Sequence, residues 1–399
     1  MSGRRSSLLA VVLVDLVPFV GVAVLGWSPA ALVVVYWVEL GVDLGFAALR
    51  ALFARRPPEH ESDLLVLGAF RHRRGGLSVP GTALHVQAAN VPVVVVLLPV
   101  FGAVWLLTGG VALSGIEATV AGEAFDGDVA LTAALGILGV VVGRGFETAT
   151  DYVLEGRYES VSVQGVLQSA AWPVMVVGLA LVLSGAAATS GAPATVVLVA
   201  LVGTKSLFDL AGVYRDRLVA FDERSSLSFG WASEPGEWST VETDLREPVT
   251  TVRSRWPAVL LDGVLRGLRT EATGLAGLLV VVALVLAALG GGVEVLLLGA
   301  GGAAVVLAFL AALGAVDRAV RHLTMEYRVG GDVVGYDRLF GTAQWRVPGW
   351  KLARCEPRRT LADRPFGTRT LVVEHDGRTV RLPHLRDPSA VVPDTSRGR

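Results

Sequence analysis

The sequence predicts a polytopic all-α membrane protein with a small β domain at its C-terminal end. The chain has 399 residues, of which 52% are hydrophobic and only 18% are charged, whereas soluble domains average about 25% charged residues. Long stretches contain no charge, and the charged residues collect between them. From residue 325 onward these stretches give way to short segments of alternating hydrophobicity. The first two features indicate a membrane protein, and the third indicates strands.

A helix needs about 20 apolar residues to cross the hydrocarbon core of a bilayer. Eight runs meet this requirement, and we predict a transmembrane helix in each. They cover residues 8–27, 29–53, 89–113, 128–150, 170–190, 193–214, 271–290 and 293–316. The first run follows Arg4 and Arg5, but no small-residue cleavage site comes after it, so we expect it to stay as an uncleaved helix.

The connections between the runs alternate in character. The links after the first, third, fifth and seventh runs contain no Lys or Arg, whereas 55–74 holds five arginines and 215–269 holds eight. Basic loops stay in the cytoplasm. We therefore expect a multi-pass plasma-membrane protein whose two termini and Arg-rich loops are cytoplasmic, in agreement with an even number of helices.

Four segments follow from this pattern. Residues 1–220 form a six-helix membrane domain, 221–270 a cytoplasmic loop, 271–320 a transmembrane hairpin and 325–392 a small cytoplasmic β domain. The loop ends in an amphipathic stretch that begins at Trp256, which is typical of a helix lying on the membrane surface. The alternative is a plain extension of the seventh helix.

Charged residues recur in the half of the runs that we place nearer the cytoplasm. Charges at membrane depth are costly, so they pair with one another or have a function. The candidate polar cluster comprises Asp15, Tyr36, Glu39, Asp43, Arg144, Glu147, Lys205 and Asp209. Glu39 either forms a structural salt bridge with Lys205 or Arg144, or it belongs to a cavity that handles a cation or proton. A third alternative is that the helix boundaries differ and the charges reach water.

The first hairpin carries a family resemblance. Gly26-Trp27, the apolar run after it and Tyr36-Trp37-Val38-Glu39 resemble a family of multi-pass membrane proteins, mostly archaeal and bacterial, described only as a domain of unknown function. The resemblance covers about residues 8–220. It implies the membrane class, and no activity comes with it.

The C-terminal segment shows a strand pattern. Short alternating segments divided by Gly, Pro and Asp turns predict strands in MEYRV, DVVGYDR, QWRVP, WKLARCEP, TLVVEH and TVRLP. Together with YDRLFGTAQWRVP and a closing L-x-D-P, the pattern resembles the small pleckstrin-homology-like domains of bacterial membrane proteins. A basic patch for anionic lipid head groups comprises Arg354, Arg358, Arg359 and Arg364, and a solvated β surface is the alternative.

The motifs exclude several classes of function. A G-x-G-x-x-A pattern at Gly299, Gly301 and Ala304 lacks the strands of a dinucleotide-binding fold, and small residues here favour close helix packing. Cys355 is the only cysteine. We expect no cofactor, no metal site and no nucleic-acid partner, and an enzyme is the less favoured class. Two hypotheses remain. The first is a transporter-like protein with a charged cavity. The second is a membrane scaffold or sensor whose β domain binds lipid or a partner protein.

Overall fold

The computed structural model describes residues 29–58, 65–119, 127–190, 203–204, 206–207, 214, 236–352, 354–355, 357–375 and 378–392. The chain is mostly helical and has a sheet region near its C-terminus. It divides into two compact units. Unit 1 comprises the described residues within Met1–Glu59 and Val93–Glu237, and unit 2 those within His60–Pro92 and Trp238–Arg399.

Long apolar helices dominate unit 1. They are α1 (Pro29–Phe53), α3 (Val91–Thr119), α4 (Gly127–Glu147) and α5 (Val163–Thr189). A π-helical turn, Thr148–Leu154, continues α4, and a 3₁₀ turn, Arg157–Glu159, leads toward α5. These helices occupy the second to fifth predicted runs. The first run and most of the sixth lie outside the described residues.

Helix α1 is central among the described helices of unit 1. It packs against α4 and α5, and Trp37 of α1 stacks on Trp105 of α3. Val33, Tyr36 and Leu40 of α1 form a buried core with Val174 and Leu181 of α5. The spacing of these α1 residues, three and four positions apart, puts them on one face of the helix.

Three segments of the described chain are long and apolar enough to cross a membrane, namely Val91–Ala112, Val163–Leu183 and Thr273–His322. The third has 50 residues and would be about 75 Å long as one straight helix, more than twice the thickness of a hydrocarbon core. It consists of two helices, α7 (Thr273–Leu286) and α8 (Gly292–His322), joined by a π turn in which Gly290 has a φ of 106°.

The two helices α7 and α8 form a hairpin. A Cβ atom on Gly299 would lie 2.2 Å from Cβ of Ala283, so only glycine allows this approach. Gly299, Gly301 and Ala304 all lie inside α8, which is helical from Gly292 to His322. The small residues of the G-x-G-x-x-A pattern therefore form part of a helix, and Gly299 serves helix packing.

A separate helix, α6 (Trp256–Gly267), precedes the hairpin. It ends before α7 begins at Thr273, so the expectation of a plain extension of the seventh helix is wrong. Added Cβ atoms on Gly263 and Gly267 would lie 2.5 and 2.0 Å from the carbonyl oxygens of Gly314 and Leu310. The glycines of α6 thus let it pack against α8 at backbone contact.

The β region of unit 2 draws on separate parts of the chain. Its larger sheet has the antiparallel order β3-β4-β5-β6, with β3 at Thr250–Val252, β4 at Met325–Gly330, β5 at Asp332–Asp337 and β6 at Thr342–Val347. Strand β3 precedes the helical hairpin and pairs with β4 after it. Strands β7 (Arg369–His375) and β8 (Arg378–Leu385) form a second antiparallel pair.

The connection that follows α1 also contributes to unit 2. Residues 67–71 form the short helix α2, and β1 (Gly76–Ser78) pairs with β2 (His85–Gln87). Arg73 forms a buried ion pair with Asp337 at 2.5 Å. The carbonyl of Arg74 accepts hydrogen bonds from Thr342 and Gln344. These contacts fix the residue 65–92 segment on the β5–β6 part of the sheet.

One predicted strand is wrong. The segment WKLARCEP begins with the short helix α9 (Gly349–Leu352). Pro348 accepts a hydrogen bond from the backbone N–H of Lys351, which turns the chain. Trp350 is exposed and Leu352 is fully buried. Residues two apart share a face in a strand but lie on nearly opposite sides of a helical turn, so this difference in burial fits the helix. The L-x-D-P segment is followed by a 3₁₀ turn, Pro388–Ala390, which begins at its proline.

Candidate functional site

Helix α1 presents four polar side chains to one cavity. Tyr36, Glu39, Asp43 and Arg50 follow one another at intervals of three, four and seven residues, which is the repeat of one helix face. All four line the same cavity. Apolar residues fill the positions between them, so the helix is amphipathic even though it is predominantly apolar.

The Arg144 guanidinium, near the end of α4, is the centre of the charged cluster. Its Nε lies 2.6 Å from Oδ1 of Asp43, and its Nη2 donates to Oδ2 at 2.9 Å. Its Nη1 donates to Oε2 of Glu147 at 3.0 Å. Oε1 of Glu39 is farther away, 3.9 Å from Nη2. Arg144 is therefore shared by three carboxylates, and its two-pronged contact with Asp43 is the strongest of the three.

Two further arginines line the cavity. Nη1 of Arg50 lies 3.7 Å from Oε1 of Glu147. Arg157, in the 3₁₀ turn before α5, is exposed and forms no ion pair with a described residue. The sequence-based count of bases in the cluster included Arg144 and Lys205 but left out Arg50 and Arg157. Among the described lining residues, three arginines thus face three carboxylates.

The cavity lined by these side chains has a volume of about 240 Å³. Because a water occupies about 30 Å³ in the liquid, the space is sufficient for about eight waters or one small solute. The lining comes from α1, from the end of α4, from the 3₁₀ turn and from α5. It comprises Tyr36, Glu39, Leu40, Asp43, Arg50, Arg144, Glu147, Arg157, Ser169, Ala170, Pro173 and Val177.

Helix α5 adds a backbone acceptor to this wall. Pro173 lies inside the helix and has no N–H, so the carbonyl of Ser169, four residues earlier, lacks its helical donor. Ser169 and Pro173 both line the cavity. A proline inside a membrane helix is tolerated where such a carbonyl finds another donor or faces water. The cavity provides this environment.

A tryptophan pair fixes the side of α1 that carries Tyr36 and Glu39. The rings of Trp37 and Trp105 stack with centroids 4.7 Å apart. Added Cβ atoms on Gly109 and Gly41 would lie 2.1 Å and 2.6 Å from the Trp37 and Trp105 rings, so these glycines make room for the pair. Sequence reasoning missed Trp105 because nothing in the apolar third run marks it as a partner of Trp37.

The predicted cluster residues are placed as follows. The structure brings together Tyr36, Glu39, Asp43, Arg144 and Glu147. Asp15, Lys205 and Asp209 lie outside the described residues. The predicted pairing of Glu39 with Lys205 therefore stays a prediction.

The four arginines of the predicted basic patch are all exposed. The guanidinium of Arg354 lies 5.7 Å from the ring centre of Trp350, which is itself exposed. Arg358 forms a β-bridge with Thr370, near the start of β7. Arg359 and Arg364 flank the turn that contains Asp363. The exposure of all four fits either a lipid-binding patch or a solvated surface.

A second polar group, which sequence reasoning missed, is buried in the β region. The carboxylate of Asp363 accepts hydrogen bonds from the hydroxyls of Thr360, Thr368 and Thr370 and contacts Nδ1 of His384 at 2.7 Å. Burial raises the pKa of Asp363, but the hydrogen bonds from Thr368, Thr360 and His384 outweigh this effect and hold the pKa below its ordinary value. The network holds the residue 360–370 turn to β8.

The fold and the cavity define a predominantly helical protein that has membrane-length apolar helices and a charged cavity between the helices of unit 1. Residues 1–225 match the family of unknown function DUF6498. This match covers more than half of the chain, which therefore belongs to that family, and the expectation of an uncharacterised family is confirmed at this level. No curated protein and no solved structure matches the chain.

Proposed function

We propose that the chain is a transporter-like membrane protein whose charged cavity handles a cation, a proton or a small polar solute. The observation that carries this proposal is the volume of about 240 Å³ beside Glu39. Carboxylates and guanidinium groups are expensive inside a bilayer. Buried charges that only fix helix packing are paired and hydrogen-bonded with one another, and they need no adjacent space that is large enough for a small solute.

The proposal includes a membrane topology. Eight spans, a multi-pass chain and cytoplasmic termini are supported by the eight apolar runs and by the distribution of Arg between the loops. Large apolar side chains on the helices are exposed, among them Leu107 at 70%, Leu289 at 78% and Leu298 at 77%. Such surface suits lipid rather than water.

A second candidate function is that of a membrane scaffold or sensor. The two-pronged contact between Arg144 and Asp43 favours it, because tightly paired charges can be purely structural. In this alternative the C-terminal β domain, with its likeness to pleckstrin-homology-like domains, binds lipid or a partner protein. Its exposed arginines, including Arg354 beside Trp350, would contact anionic head groups at roughly 1 kcal/mol per basic residue.

Thermal unfolding of the purified protein distinguishes the two candidates. The wild type, Glu39→Gln and a control, Glu155→Gln, are compared in detergent against Na⁺, K⁺, Mg²⁺, pH, amino acids and anionic lipids. Glu155 is exposed and does not line the cavity. A ligand at one hundred times its Kd stabilises the folded state by about 2.7 kcal/mol.

We expect a solute or ion to stabilise the wild type and Glu155→Gln but not Glu39→Gln. Stabilisation by anionic lipid alone, equal in all three proteins, would instead support the scaffold or sensor. Stabilisation by a solute that is unchanged in Glu39→Gln would place the binding site elsewhere and contradict the role of this cavity.

A further inference from the structure

The cavity has two chemically different ends. Helices α1 and α5 run antiparallel beside it, since Tyr36 and Leu40 pack with Val177, whereas Arg55 near the other end of α1 donates to the carbonyl of Tyr158. Glu39 and Arg50 are eleven residues apart on α1, which is about 16 Å along the helix axis. Arg50 is therefore separated from Glu39 along one void, whereas the Arg144 guanidinium lies near Glu39 and is paired with Asp43 and Glu147.

The basic end is formed by Arg50 and Arg157. Arg157 lines the cavity, is exposed, and forms no ion pair with a described residue. Arg50 is only distantly paired, 3.7 Å from Glu147. The hydroxyl of Tyr152 donates to the carbonyl of Arg50 at 2.7 Å and so holds this end of α1 against the π turn. A guanidinium that lines a cavity and has no carboxylate partner among the described residues suits a carboxylate, which it binds in a two-pronged manner.

The opposite end is formed by acceptors. Glu39 lines the cavity at 3.9 Å from Arg144, the longest of the three carboxylate contacts of that arginine. Ser169, whose carbonyl loses its helical donor because of Pro173, lines the same space. A carboxylate and a carbonyl together suit an ammonium group, which has three N–H donors and no acceptor.

We propose that the cavity binds a small zwitterion, with its carboxylate at Arg50 and Arg157 and its ammonium group at Glu39 and the Ser169 carbonyl. This inference rests on the proposed function and names its substrate class. The volume limits the ligand to about the size of an amino acid. A net-neutral ligand also suits a cavity whose described lining carries three acidic and three basic side chains, because it leaves the local charge balanced.

The test uses two kinds of probe on the full-length protein in detergent: amino acids that carry both charges, and analogues that carry only one of them. Glycine, β-alanine, 4-aminobutyrate and 6-aminohexanoate vary the distance between the two charges. Butyrate and butylamine carry only one charge each. Affinities come from the shift in Tm as each probe is titrated against the wild type, Arg157→Gln, Arg157→Lys and Glu39→Gln. Arg338→Gln, which changes an exposed arginine of unit 2, is the matched control.

We expect one chain length to bind best and at least tenfold more tightly than either butyrate or butylamine. Arg157→Gln should lower the affinity for that probe at least tenfold and leave the affinity for butylamine unchanged. Glu39→Gln should lower the affinity for the same probe and leave the affinity for butyrate unchanged. Arg157→Lys should retain part of the affinity, and Arg338→Gln all of it.

Three outcomes would overturn the inference in distinguishable ways. If butylamine binds as tightly as the best amino acid and Arg157→Gln has no effect, the ligand is not a zwitterion. The proposed function of handling a cation is then still supported. If no probe of any length shifts the Tm while an inorganic cation does so through Glu39, the zwitterion is again wrong and the function stands. If neither probes nor ions act through Glu39, both proposals fail.

Discussion

Trp37 and Trp105 each donate an indole N–H to the backbone carbonyl of the other, at 2.9 Å and 2.7 Å, while their rings stack. The pair joins α1 to α3 by two hydrogen bonds and an aromatic contact. Trp37 lies on α1 only two residues before Glu39. The contacts of the tryptophan pair therefore fix the rotation of α1 about its axis, and with it the direction of the Glu39 side chain.

Replacing either tryptophan by phenylalanine should loosen this junction. The ring contact is largely kept, but one interhelical hydrogen bond is lost, worth between about 0.6 and 2 kcal/mol in a membrane protein. The two single variants and the double variant, compared by unfolding in detergent, should show a coupling energy of at least about 0.5 kcal/mol. Strict additivity would mean that the two residues act independently.

Arg144→Gln should destabilise unit 1. The substitution leaves Asp43 and Glu147 without their shared guanidinium, and breaking a fully buried pair costs about 3–5 kcal/mol. Because the Arg144 side chain is 35% exposed, we expect about 1–3 kcal/mol. Adding Asp43→Asn should recover part of the loss. Arg157→Gln is the same change at an exposed position that forms no ion pair with a described residue, and it should cost less than about 0.5 kcal/mol. Equal losses in the two variants would show that the ion pair contributes nothing.

Arg73→Met should destabilise unit 2. Its guanidinium pairs with the Asp337 carboxylate, and both side chains are buried. The substitution would leave that carboxylate buried without its cation, at a cost of about 3–5 kcal/mol. Arg71→Met, two residues away at a position that is not buried, is the control. Hydrogen exchange of β5 and β6 measures the effect. Unchanged protection in Arg73→Met would contradict a structural role for the pair.

Asp363 should make the β region sensitive to acid. Its pKa in the folded protein lies below the ordinary value, which is about 3.9 in an unfolded chain. The stabilisation by its carboxylate is therefore fully present above that value and is lost as the pH falls through the folded pKa. Asp363→Asn should be less stable than the wild type by about 2–3 kcal/mol at pH 7. The difference should shrink below about pH 4. A difference that stays constant down to pH 2 in hydrogen exchange of β7 and β8 would count against this mechanism.

Cys355 tests the predicted cytoplasmic position of the C-terminal domain. It is the only cysteine of the chain, and it is partly exposed. Burial raises the pKa of its thiol, so labelling should be done at about pH 8.5, where more thiolate forms. A membrane-impermeant maleimide should label it only after cells are permeabilised. Ser28→Cys in a Cys355→Ser background should be labelled in intact cells. Labelling of Cys355 in intact cells would contradict the prediction and indicate that the C-terminal domain lies outside the cytoplasm.

The helices could be predicted because their apolar runs are long and have clear ends. The second run and α1 share the bounds 29–53. Helix α5, in contrast, begins seven residues before the predicted run, because Gln164 and Ser169 lower the local hydrophobicity of its first turns. Glu147 and Asp151 are four residues apart and would share one face of a regular helix. The π-helical turn that begins at Thr148 changes the number of residues per turn, and only Glu147 lines the cavity.

The composition of the site could be predicted only in part. The sequence singles out Glu39, Asp43 and Arg144 because charge inside an apolar run is conspicuous. Arg50 and Arg157 lie near the ends of apolar runs, where basic residues are common and the sequence alone does not distinguish them from other charges of cytoplasmic loops. Arg73 was counted as one more basic loop residue, whereas it forms a buried pair. Partners that are distant in sequence, such as β3 for β4, leave no mark on local periodicity.

The pairing of β3 with β4 has a consequence for how the protein is made. Between Val252 and Met325 lie 72 residues that include α6 and the entire α7–α8 hairpin. During translation β3 leaves the ribosome long before its partner strand, and the sheet can close only after the hairpin has been synthesised. Completion of the larger sheet therefore requires the α7–α8 hairpin to bring the end of α8 back beside β3. The hairpin and the sheet are thus coupled, because β4 can reach β3 only when α7 and α8 have packed against each other.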